Sequence, residues 1–145
     1  MSLCPASLLF LLLSLSLLTM SSGLALPGYK TTYEVLKAGE GSATVLKGST
    51  VTVHATGNVE DPPKKFWSTK DPGQKPFTYS AGVGGVITGW DQGCLGMKVG
   101  EVRKLRIPHD EGYGSRGFPA WGIPPMATLL FEIEVLKIAA GREEM

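Results

Sequence analysis

Cysteine is scarce: the 145 residues hold only Cys4 and Cys94. If Cys4 leaves with a leader, Cys94 is alone, and no internal disulfide can staple the chain. A lone thiol is safest buried, and Trp90 and Met97 at helical spacing around Cys94 point that way. An excess of either charge is also lacking. Fourteen Lys and Arg face thirteen Asp and Glu, for a formal net charge of +1. No basic run stands out, so nucleic acid is not expected as a partner, because a phosphate-binding face needs clustered Lys and Arg. His54 and His109 are the only histidines. Neither has a Cys or carboxylate cluster at ligand spacing, so no metal and no cofactor is expected. His109-Asp110-Glu111 follows Pro108 and reads as a solvated turn. There is no Gly-x-Ser-x-Gly elbow and no Gly loop ending in Lys-Ser or Lys-Thr. Gly82-Val83-Gly84-Gly85 before a helix is similar to a phosphate-binding turn, but it lacks the strand–helix–strand setting. Hydrolytic, phosphoryl-transfer and hydride chemistry all lack their tools.

What is present begins with a leader. Leu8 to Leu18 is a short apolar core, and Ser21-Ser22-Gly23-Leu24-Ala25 offers small residues before a cut after Ala25. That is the layout of a secretory signal peptide over residues 1–25, although no Lys or Arg precedes the apolar run. The expected address is the secretory lumen or the outside. The alternative is a membrane anchor through an uncleaved signal, for which the run is shorter than the ~20 residues of a spanning helix.

The remaining residues 26–145 are enough for one domain with a modest core, expected as a monomer. Nineteen Gly and ten Pro call for many turns. Tyr29 to Leu36 reads as a strand and Gly39-Glu40-Gly41-Ser42 as a turn. Ser49 to Asn58 alternates, with Val51, Val53 and Ala55 on one side and Thr50, Thr52, His54 and Thr56 on the other. Asp61-Pro62-Pro63-Lys64 reads as a loop. Lys75 to Ser80 reads as a short strand with Phe77 and Tyr79 on one face. Val86 to Leu95 is the best helix, despite Gly89 and Gly93, which cost roughly 1 kcal/mol each against Ala. Glu101 to Ile107 reads as a strand closed by Pro108, and Gly112 to Pro125 as a Gly/Pro/aromatic loop. Thr128 to Ile138 is the clearest strand, with Leu129, Phe131, Ile133 and Val135 on one face. Strands around one short helix predict an α+β fold, an antiparallel sheet wrapped on that helix.

Aromatic residues cluster near the loops: Phe66, Trp67, Phe77, Tyr79, Trp90, Tyr113, Phe118, Trp121 and Phe131. An apolar, aromatic-lined pocket with few polar groups is a binding site by default. Each ring alone is equally well read as core.

Six strings carry a resemblance. Val53-His54-Ala55-Thr56-Gly57, Lys64-Lys65-Phe66, Lys75-Pro76-Phe77, Gly85-Val86-Ile87-Thr88-Gly89-Trp90, Gly112-Tyr113-Gly114 and Ile123-Pro124-Pro125-x-Ala127-Thr128-Leu129 occur in one order. Together they closely resemble the FKBP-type peptidyl-prolyl isomerases, from about Tyr33 to Ile138. The resemblance implies an antiparallel half-barrel sheet around one short helix. It implies catalysis of X-Pro rotation in an aromatic pocket that speeds the folding of proline-containing clients. Trp90 would be the floor, and Phe66, Phe77, Val86, Ile87 and Phe131 the walls. Tyr113 would supply a hydroxyl on the rim and Ile87 its backbone N–H. Phe118, Trp121 and Ile123 would lie in the loop that closes over the proline. The chain departs from the family at Ala55, where many members carry Tyr, and at Trp67, where they carry Asp. Those two departures count against tight binding of macrolide immunosuppressants, and Trp67 could either narrow the pocket edge or lie flat on the surface. The loops at Pro62-Pro63 and Gly117–Ile123 are each one residue longer than usual. The rival readings are a proline-binding module without turnover, which Ala55 and Trp67 motivate, and a lectin-like domain using Trp67 and Trp121 as sugar platforms.

Overall fold

A computed structural model describes residues 23–139. The apolar run Leu8 to Leu18 of the expected leader lies outside the described residues, and so does the tail from residue 140.

Strand β4 (Thr50–Val59) is the spine of the sheet. Its alternation of β-branched and small apolar residues with Thr and His leaves Val51, Val53, Ala55 and Val59 buried. The opposite face carries hydroxyl pairs, Thr52 with Thr78 and Thr56 with Ser68, each at 2.9 Å. Along its whole length β4 pairs antiparallel with β9 (Leu129–Ala139), from Thr50↔Ala139 to Val59↔Leu129. Its other edge is shared by β5 (Lys64–Ser68) and β6 (Phe77–Ser80). Beyond β9 come β8 (Val102–Ile107), β2 (Thr32–Lys37) and the two-residue β1 (Leu24–Ala25). All of these pairings are antiparallel.

The single described helix, α1, spans Thr88–Gly93 and is shorter than the expected Val86 to Leu95. Ile87 stays extended as its N-cap with no side-chain cap, so Val86 and Ile87 belong to the approach rather than to the helix. The two glycines now have a reason. A Cβ at Gly89 would sit 2.5 Å from Ile107 Cγ2, and one at Gly93 would sit 2.9 Å from Leu105 Cδ2. Glycine lets the helix lie directly on β8, and this contact offsets the propensity cost. Arg103 secures the far end: its guanidinium donates to the Gly93 and Leu95 carbonyls and pairs with buried Glu101 at 2.6 Å.

Two expectations are corrected. Gly39-Glu40-Gly41-Ser42 is not simply a turn: β3 (Glu40–Thr44) pairs with β7 (Lys98–Val99) in a separate ribbon. The ribbon is mostly exposed and has an irregular register, with Gly41 at φ +85°, so no apolar alternation announces it. The strand expected from Tyr29 is β2 and begins at Thr32, because Leu26–Tyr29 closes a turn through Tyr29 N–H to Leu26 O.

Candidate active site

A cavity of about 510 Å³ opens between β5, β6, α1, β9 and the 112–125 loop. That volume is within the ~300–1,000 Å³ that holds a drug-sized ligand. Trp90 from α1 forms the floor, packed edge-on at 4.9 Å against Phe131 of β9. Phe77 lies T-shaped to Trp90 at 5.8 Å and stacks on Tyr79, its neighbour on the same strand face. Val86 and Ile87 line the side where the chain enters α1, and Tyr113 and Trp121 face the cavity from the loop. Gln74, Lys75, Pro76 and Gly85 also line it, none of them expected as a site residue.

Three expected site residues do not line this cavity. Phe66 packs behind it, T-shaped to Phe131 at 5.7 Å and stacked on Trp121 at 6.2 Å. The cause is a bulge: the β4–β5 register jumps from Gly57↔Trp67 to Asn58↔Lys65, leaving Phe66 as the extra residue. Consecutive Phe66 and Trp67 thereby both reach Trp121. Ile123 is 2 % exposed and sealed under the loop, and Phe118 rides outside, against Tyr113 and Trp121 at 5.3 Å each. Both instead hold the loop shut, since Phe118 and Ile123 exchange backbone hydrogen bonds across a short 3₁₀ turn, Pro119–Trp121.

Trp67 faces the cavity and narrows its edge. It lies nearly parallel to Trp121, at 12° and 6.2 Å between ring centres, and touches Phe77 and Trp90. Ala55 is buried on the inner face of β4.

Polar groups at the site are few. The Tyr113 ring is half-buried, and burial holds its hydroxyl above the ordinary tyrosine value, so it stays a protonated donor at neutral pH. Among the described residues the Ile87 N–H takes no backbone acceptor, while the Ile87 carbonyl is used by Asp91 N–H. The Gly82–Gly85 loop does not have the phosphate-cradle geometry. Its Gly82 and Gly84 N–H groups are already held by the buried Asp91 carboxylate at 2.7 and 2.9 Å. Asp91 thus ties that loop to α1, a role no sequence motif announced. Behind the floor, burial pushes the Cys94 thiol up to about 12, which leaves it an inert core residue.

A concave, mostly apolar site on an antiparallel sheet, floored by a tryptophan and bordered by an Ile87 N–H without a backbone acceptor among the described residues, defines a small binding or isomerising domain. The FKBP-type peptidyl-prolyl cis-trans isomerase family matches residues 41–136. The chain is 55 % identical over 106 residues to "Peptidyl-prolyl cis-trans isomerase FKBP12" of Vicia faba, covering 72 % of this chain and 94 % of that one. It is 53 % identical over 106 residues to "FK506-binding protein" of Neisseria meningitidis, covering 72 % and 93 %. It is 51 % identical over 97 residues to "Peptidyl-prolyl cis-trans isomerase FKBP2" of Mus musculus, covering 67 % of each. The chain belongs to the FKBP-type peptidyl-prolyl cis-trans isomerase family.

Proposed function

We propose that this chain is a peptidyl-prolyl cis-trans isomerase that binds X-Pro segments in the cavity floored by Trp90. One observation carries the reading: the cavity is lined mostly by apolar and aromatic side chains, and Ile87, whose N–H has no backbone acceptor among the described residues, and Tyr113 are part of that lining. Rotation about X-Pro breaks no covalent bond, and its barrier of ~18–20 kcal/mol is lost amide resonance. The twisted amide has less charge separation than the planar one, so an apolar cavity favours it. The two donors hold the carbonyls of the segment while it rotates. No acid, base or metal is required. Uncatalysed rotation takes tens to hundreds of seconds, slow enough to limit folding.

Phe66, Phe118 and Ile123 act in this account as supports for Trp121 and Phe131 rather than as contacts to the proline. Trp67 presents an indole where a carboxylate would hold a macrolide hydroxyl, which argues for weak macrolide binding. The clients are proline-containing proteins of the secretory lumen, on the strength of the leader expected over residues 1–25. A cut after Ala25 would remove β1, which is exposed and two residues long, and leave β2 intact. N-terminal sequencing of the protein recovered from a secreting cell checks the cut, and an unprocessed, membrane-bound product would refute it.

Refolding of a proline-limited protein tests the function. The chain is expected to accelerate the slow phase and Phe77→Ala to lose that acceleration. The narrowing by Trp67 favours a second reading, a proline-binding module. Saturable binding of the unfolded substrate with an unchanged slow phase would establish that reading instead.

A further inference from the structure

Tyr113 stands between Gly112 and Gly114, so its own backbone restrains it weakly. Downstream it is fixed by Met126 N–H, which donates to the Gly114 carbonyl at 2.9 Å. Upstream the turn is closed locally, by Gly112 N–H and Gly114 N–H on the His109 carbonyl at 3.0 and 2.8 Å, and is then tied to a distant part of the chain. The Glu111 carboxylate accepts from Lys30 N–H at 2.7 Å on one oxygen, and from Thr31 N–H at 2.9 Å and Thr31 Oγ1 at 2.6 Å on the other. Thr31 is fully buried. It is also wedged beneath the helix: a Cβ at Gly89, the residue before Trp90, would stand 2.6 Å from Thr31 Oγ1. One threonine therefore touches the element that carries the floor and holds, through Glu111, the turn that carries the rim donor.

We propose that Glu111 is a positioning residue for Tyr113: seated on the Lys30–Thr31 segment, it fixes the 109–112 turn so that the Tyr113 hydroxyl faces the cavity. The inference deepens the isomerase reading and rests on it for its kinetic consequence. Both carboxylate oxygens are occupied by donors, so a glutamine cannot replace the glutamate. Its amide can serve the Thr31 pair with its oxygen only by turning its NH₂ against the Lys30 N–H.

The test uses the full chain and two readouts, the ring resonances of Tyr113 without substrate and kcat/KM on an X-Pro peptide. Tyr113→Phe identifies the resonances and loses about fivefold in kcat/KM, the worth of one hydrogen bond. Glu111→Gln is expected to shift or broaden the Tyr113 signals while those of Tyr79 stay in place. It is expected to lower kcat/KM by no more than that fivefold, and to lower it no further once Tyr113 is already Phe. Lys30→Ala removes only the exposed pair with Asp110 and keeps the backbone donor, so it leaves both readouts unchanged. Equal losses from Glu111→Gln in the two backgrounds, or unmoved Tyr113 signals, would overturn the proposal. If Glu111→Gln does not fold, Thr31→Val, which deletes one of the three donors, decides on the same criteria. If the parent chain shows no turnover, the isomerase reading fails and the resonances alone decide the positioning role.

Discussion

Trp90 and Phe131 are 4 % and 3 % exposed and stand on a helix and a central strand, whereas Trp121 and Phe118 are 44 % and 38 % exposed and stand on one loop. The floor of the cavity is an extension of the core. Its rings are held by the same burial that holds the sheet, and moving them would disturb both. The rim is held by pairwise contacts: Trp121 on Trp67, Phe66 and Phe118, Tyr113 on Phe118, and Glu111 on Thr31. Floor substitutions should therefore strike stability and turnover together, and rim substitutions should strike turnover while leaving the fold.

The largest expected effect is at the floor. Phe131→Ala should cost about 3–5 kcal/mol of stability by deleting a buried ring, and turnover should fall with it. Urea denaturation and the isomerisation assay on one preparation check this, and intact stability with intact turnover would remove Phe131 from the floor. Gly57→Ala comes next. Its Cβ would sit 2.6 Å from both Phe131 Cε1 and Phe66 Cζ, an overpacking that should cost about 1–3 kcal/mol. A neutral outcome would mean that the two phenyl rings are not seated on the β4 backbone.

Rim changes should be milder. Trp121→Leu removes a ring that is 44 % exposed, so KM should rise while stability falls by less than in Phe131→Ala. A large drop in melting temperature would erase the distinction between floor and rim. The smallest effect is acid sensitivity at Glu111. Desolvation raises its carboxyl, but the hydrogen bonds from Thr31 and Lys30 outweigh it and set it below the ordinary glutamate value. The folded chain thus binds that proton less readily than the unfolded chain. The contribution is complete above the unfolded value of about 4.3 and is lost as pH falls through the lower folded value. Denaturation between about pH 6 and pH 3 should show a shallower loss in Glu111→Gln than in the parent; parallel slopes would contradict it.

The floor was also the legible part of the sequence. Alternation in Thr50–Val59 and Leu129–Ala139, and the spacing of Trp90 from Cys94, report burial directly, because a strand or helix face repeats. The exposed β3–β7 ribbon repeats nothing and passed for a turn. Phe66 was read as a wall because nothing in Lys64–Ser68 marks the bulge that turns it behind Trp121. Trp67 could be placed at the pocket edge or flat on the surface, and only its partner across the loop, Trp121, decides between them. Asp91 and Arg103 went unnoticed, and Glu111 was read as part of a solvated turn rather than as a carboxylate holding Lys30 and Thr31, for a common reason. Each is a charged residue whose partners are mostly backbone groups of another segment, and a contact of that kind leaves no pattern along the chain.

The most direct measurement is a protease-coupled isomerisation assay on a Leu-Pro-Phe peptide, comparing the parent chain with Phe77→Ala and with the surface variant Leu46→Ala. The account predicts acceleration by the parent and by Leu46→Ala, and its loss in a folded Phe77→Ala. No acceleration from a folded parent, or acceleration undiminished in Phe77→Ala, would contradict it.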